Sequence, residues 1–183
     1  MNNLTAIAVD RQNIHLHELI VVTEVRPDFL PQVTFAAADG HKTLLYSTEG
    51  IAPLARYIER PDWGGSALDG LFMLLTGYIR ALLTARDMLL DTALLSSDPE
   101  EGVFVLTQAA RSDVKVIWGA DDLTDTGEKI CRIAHALSKS ERIMGAKTSM
   151  ERMIYVIRTE NPSLLACLKL AESLCREWNY IVQ

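Results

Sequence analysis

The period of apolar positions changes twice along the chain. From Leu16 to Val25, β-branched and apolar residues crowd together (Leu19, Ile20, Val21, Val22, Val25), which predicts a strand. Arg26-Pro27 and Leu30-Pro31 interrupt it. Val33-Thr34-Phe35 and Thr43-Leu44-Leu45-Tyr46 then flank Asp39-Gly40, a strong short hairpin signal. Upstream, Leu4 to Val9 reads as an edge strand or a loose start. Helical spacing begins at Gly50, with Ile51, Leu54, Ala55 and Ile58 forming a short amphipathic helix that stops before Pro61. Ser66 is a good N-cap for a second helix over about 67–86, carrying Leu68, Leu71, Phe72, Leu75, Tyr78, Ile79, Leu82 and Leu83. A stripe this wide belongs to a central, buried helix. Gly77 in its middle costs about 1 kcal/mol relative to Ala, which predicts a close neighbour there.

Strands return at Val103–Leu106 and Val114–Trp118 after the Asp98–Gly102 turn, forming a short ribbon within about 88–118. The remainder is helical. Asp125 and Glu128 have capping-box spacing ahead of Ile130, Ile133, Ala134 and Leu137. Thr148 and Glu151 repeat it ahead of Met150, Met153, Ile154 and Ile157, where a strand is the competing reading. Asn161-Pro162 opens the last helix, with Leu164, Cys167, Leu168, Ala171, Leu174, Cys175 and Trp178 on its apolar stripe. The fold class is therefore α+β in one domain. A small β-rich lobe over 1–49 precedes a larger, mostly helical lobe over 50–183.

With 183 residues, 49% hydrophobic and 23% charged, the chain is an ordinary globular domain rather than a disordered or collagenous one. A net charge of -6 argues against nucleic acid as a partner. Three cysteines make no disulfide framework, so a reducing, cytoplasmic setting is expected. The start carries no signal-peptide pattern, and the greasy stretch 68–83 is interrupted by Asp69, Gly77 and Arg80. Direct membrane insertion is not expected.

Reactive side chains point away from chemistry. His15-x-His17 places two rings on one face of the predicted strand without a third ligand at metal spacing. Cys131, Cys167 and Cys175 fall in or beside apolar stripes and read as small buried hydrophobes. No Gly-x-Ser-x-Gly elbow or phosphate-binding glycine loop occurs. Glu100-Glu101 and Asp121-Asp122 read as solvated turn residues. No catalytic residue, metal or cofactor is expected. The candidate partner-binding residues are Trp63, in a loop bounded by Pro61 and Gly64-Gly65, and the cations Arg142, Lys147 and Arg152. The latter belong to a cluster with Lys139 and Arg158 that suits an acidic or phosphorylated partner.

One stretch resembles the protein kinases. A long buried helix ends in Ala85-Arg86-Asp87, where a kinase has His-Arg-Asp, and a ribbon follows. In that register the Asn that binds magnesium becomes Thr92, and Asp-Phe-Gly becomes Gln108-Ala109-Ala110, so both metal ligands are lost. The chain is also similar to an uncharacterised domain family of Gram-positive bacteria that often precedes forkhead-associated (FHA) phosphopeptide-binding domains. That family is itself similar to the kinase-like cytoplasmic domain of the membrane-anchored type VII secretion component. The similarity rests on Asp39-Gly40, on Leu45-Tyr46-Ser47-Thr48-Glu49-Gly50 followed by Leu54, and on Met88-Leu89-Leu90-Asp91 before the 98–104 turn and strand. It implies a degenerate kinase-like fold and a non-catalytic adaptor that binds a protein, in contact with a membrane-bound complex. The alternatives are an unusual phosphotransferase built on Asp87 and an immunity-type protein that neutralises a toxin.

Overall fold

In a computed structural model, the described residues are 6–38, 41–59, 67–106, 113–140, 143 and 145–181; the side chains of Ala67 and of 178–181 are excluded. They form a mixed α+β architecture with two small antiparallel sheets and a larger helical region. The first sheet has β1 (Ala6–Asp10), β2 (Val33–Ala38) and β3 (His41–Ser47) in the order β1-β3-β2. Ala38 pairs with His41, so β2 and β3 are joined through 39–40, which lie outside the described residues. The edge strand expected near the start is present as β1. The second sheet orders β4 (Ile51–Pro53), β5 (Val103–Leu106) and β6 (Val114–Val116), and Leu95 bridges Trp118 beside it.

Residues Leu16–Val25 are not a strand. Leu16–Ile20 form a helix, α1, that widens into a π turn over Val21–Val25, where Arg26 N–H reaches Val21 O at 2.9 Å. Glu18 causes this. Its carboxylate accepts from His15 N–H and from Asp91 N–H, both at 3.2 Å, and the residue is buried. A helical turn brings Glu18, Val21 and Val22 inward together, whereas a strand would put Val21 on the face opposite Glu18 and Val22. Local β propensity loses to the tertiary bond. Arg26 then takes the left-handed conformation (φ 54) ahead of Pro27, which cannot continue the helix.

The expected 50–58 helix is shorter at its start: Ile51–Pro53 pair with β5, and α2 runs Leu54–Glu59. The central helix α3 spans Ala67–Asp87 and packs against β6 and the later helices. Its Leu71, Leu75, Tyr78, Ile79 and Leu82 are fully buried. By length and composition, Leu68–Asp87 is apolar enough to cross a bilayer, a point the interruptions in 68–83 had obscured; two-thirds of the stretch lies inside the fold. The close neighbour predicted at Gly77 is Val114, whose Cγ2 would stand 3.0 Å from a Cβ there.

Helix α4 (Thr126–Ser138) starts as expected, with Asp125 Oδ1 accepting from Glu128 N–H at 3.1 Å. The next two starts differ. Helix α5 (Ala146–Glu160) begins after Gly145 (φ 82), leaving Thr148 inside its first turn, and 154–157 are helical. Helix α6 (Leu164–Ile181) is capped by Ser163, whose Oγ accepts from Ala166 N–H at 3.3 Å. Pro162 precedes that cap, and Asn161 (φ 45) closes α5.

Candidate functional site

The chain leaves α3 at Arg86-Asp87 and turns sharply. Leu89 adopts φ 57, and Leu90 N–H returns to Ala85 O at 2.9 Å. Three remote side chains hold the turn. His17 Nε2–H donates to Met88 O at 3.0 Å, Glu18 accepts from Asp91 N–H, and Trp118 Nε1–H donates to Asp91 O at 3.1 Å. Asp91 caps the following 3-10 turn, accepting from Ala93 N–H at 2.9 Å. The two histidines thus do not share a strand face: His15 precedes α1 as its N-cap, and His17 braces the turn.

A cleft of about 570 Å³ opens beside this turn, lined by Arg11, His15, Glu18, Arg86, Asp91 and Thr92 among others. Asp87 is 71% exposed and pairs with Arg86 at 3.4 Å in solvent. Thr92 starts the 3-10 turn, while 108–110 lie outside the described residues. Among the described residues, no group of three or more His, Cys, Asp or Glu side chains is placed to hold a metal. Leu89 stands 74% exposed at the tip. A bulky residue at positive φ is a conformational outlier, costing about 1–2 kcal/mol, and such strain concentrates at functional positions.

A second polar centre is closed. Lys129 of α4 is fully buried, and its ammonium donates to Ala93 O (2.9 Å), Leu95 O (2.5 Å) and Asp121 Oδ2 (3.1 Å). Asp121 is only 13% exposed and also accepts from Ser97 N–H, Ser97 Oγ–H, Asp122 N–H and Leu123 N–H. Burial raises its pKa, but these hydrogen bonds outweigh burial and hold the carboxyl well below the usual range. Burial lowers the pKa of Lys129 despite the opposing pull of Asp121. Arg11 ties the first sheet to the same loop through Gly119 O (2.6 Å) and Asp121 O (2.5 Å), and Tyr46 Oη–H reaches Trp118 O at 2.8 Å. Asp121 is therefore an anchor rather than a solvated turn residue. The available sequence signal was Lys129, a cation four residues before Ile133 on the apolar face of α4.

Of the candidate partner-binding residues, Trp63 and Arg142 lie outside the described residues. Lys147 and Arg152 are on α5 and both are exposed, but each meets an acid: Lys147–Glu151 at 3.9 Å and Arg152–Glu177 at 2.8 Å. Arg158 pairs with Glu128 at 3.1 Å. The basic face is thus interleaved with carboxylates. Cys131 and Cys167 are buried as expected, and burial, with help from Glu128, pushes the Cys131 thiol up to about 11. Neither a family model nor a curated protein sequence matches the chain.

Proposed function

We propose that the chain is a non-catalytic, degenerate kinase-like domain. It acts as an adaptor in bacterial signalling or secretion by binding a protein partner in the cytoplasm. The observation that carries this reading is Leu89. A rigidly braced turn displays a large apolar side chain to solvent, in a backbone conformation that costs free energy to maintain. A catalytic loop needs a carboxylate aimed at a substrate hydroxyl next to metal-bound phosphate. Here Asp87 faces solvent beside Arg86, and in the kinase-like alignment of the sequence the metal-ligand positions carry Thr92 and Gln108, neither of them a carboxylate or an Asn.

Leu89→Gly tests the reading. Glycine takes positive φ without strain, so the variant is expected to stay within about 1 kcal/mol of wild-type stability. It should also lose the protein that the tagged wild-type chain captures from native-cell extract, because a central apolar anchor is worth about 2 kcal/mol or more. Capture of the same protein in equal amount by Leu89→Gly would overturn the assignment of the partner site.

A further inference from the structure

The first sheet ends on a bare backbone edge at β1. Arg11 N–H reaches Lys42 O at 2.9 Å, and the register sets Val9 opposite Leu44 and Ile7 opposite Tyr46. Antiparallel strands alternate bonded and non-bonded pairs, so the odd positions of β1 bond to β3. The N–H and C=O groups of Ala6, Ala8 and Asp10 then point away from the sheet. No other hydrogen bond reaches these groups among the described residues. The second sheet shows what such groups take when a neighbour is present. On its edge strand β6, Val116 N–H donates to Phe29 O, outside the sheet, at 2.8 Å.

Proteins guard free edges with Lys, Pro, bulges or a covering segment. The sequence of β1, Ala-Ile-Ala-Val-Asp, has neither Lys nor Pro. The exposed side chains of Ala6 and Ala8 are small, and the Asp10 carboxylate turns back to accept from the Thr43 hydroxyl. In place of a cover, a cleft of about 550 Å³ lies between β1 and a wall made by the 96–102 segment and Ala120. That volume is in the range of ligand clefts, and Gly102 and Ala120 project no long side chain into it.

The bare edge makes the site, and the wall selects its occupant. Asp98 and Glu101 border the cleft. Neither forms an ion pair among the described residues; Asp98 Oδ1 accepts from Glu100 N–H and Glu101 N–H. A second copy pairing edge to edge would bring two such acidic walls together in a chain of net charge -6. A cationic strand is complementary to the same wall.

We propose that β1 accepts an extended, lysine- or arginine-bearing segment of a partner protein as a fourth strand of the first sheet. Its backbone bonds to Ala6, Ala8 and Asp10, and its cationic side chains lie beside Asp98 and Glu101. The surface shares no residue with the Leu89 turn and is tested apart from it.

Fluorescence anisotropy of a labelled Val-Lys-Val-Lys-Val-Lys peptide, titrated with the full chain, tests this. The peptide is expected to saturate, and a form N-methylated at every amide, which keeps the charge and loses the donors, should bind at least about tenfold more weakly. A peptide with Glu in place of Lys should not bind. The Ala8 N–H lies outside the β1–β3 ladder, so Ala8→Pro is compatible with the sheet while blocking the added strand, and should weaken the peptide about tenfold or more. Glu101→Lys, in an exposed turn, reverses one wall charge and should weaken it by a similar factor; it decides the matter if Ala8→Pro unfolds. Four results would overturn the proposal. The first is no saturable signal up to about 1 mM chain. The second is equal binding of the N-methylated or the Glu peptide, and the third is wild-type affinity in both variants. The fourth is a dimer of the chain alone, seen in sedimentation and dissolved by Ala8→Pro, which would give the edge to a second copy.

Discussion

Replacing Lys129 by Met removes the ammonium at the junction of α4 with the 93–97 and 119–123 loops, while keeping most of the side-chain volume. Two carbonyls, Ala93 O and Leu95 O, lose their donor, at about 1–3 kcal/mol for each buried group left unsatisfied. Asp121 loses its countercharge but keeps four other donors and 13% exposure, which softens that part. The expected cost is about 3 kcal/mol, the lower end for breaking a buried pair. Asp121→Asn leaves a fully buried ammonium without its anion and should cost more, about 4–5 kcal/mol. In a chain of this size, 3 kcal/mol lowers the melting temperature by roughly 6–12 °C. Urea unfolding at pH 7 of both single variants and the double variant measures all three terms. The double variant should fall short of additivity by more than about 1 kcal/mol, because the partners share one interaction. The pair also sets an acid response. The Asp121 pKa lies below its ordinary 3.8, so its stabilisation is complete above about pH 4 and is lost as pH falls through the depressed value. Asp121→Asn should flatten that loss. A Lys129→Met variant within about 0.5 kcal/mol of wild type, or strictly additive variants, would refute the reasoning.

The other predictions concern the core, the thiols and nucleotide. Leu82→Ala, at a fully buried position on α3, should cost about 2–5 kcal/mol, read as a fall in the urea midpoint; a midpoint near wild type would place the helix at the periphery. Cys131 and Cys175, both held up to about 11, chiefly by burial, should react with Ellman's reagent at pH 7.4 far more slowly in the folded chain than in urea. Rapid native labelling at either position would contradict that. Millimolar ATP with magnesium should not shift the melting temperature. A shift of several degrees would revive a phosphotransferase, since ligand at about 100-fold its Kd adds roughly 2.7 kcal/mol.

Hydrophobic periodicity placed α3, α4 and α6, because each turns an apolar stripe inward, while the Asp39-Gly40 turn signal placed the β2–β3 pairing and short β-branched runs placed the β5–β6 ribbon. The Asp125 cap was equally legible, since donor and acceptor lie three residues apart. Tertiary structure decided what depended on partners distant in sequence. Leu16–Val25 coil because Glu18 binds Asp91 N–H, 73 positions away. Asp121 becomes an anchor because Ser97 donates to it from 24 positions upstream, and Arg11 joins its loop from 110 positions upstream. Leu89 reads locally as one more core leucine in Met88-Leu89-Leu90. Its exposure follows only from a turn held by His17, Glu18 and Trp118, which local propensity does not encode.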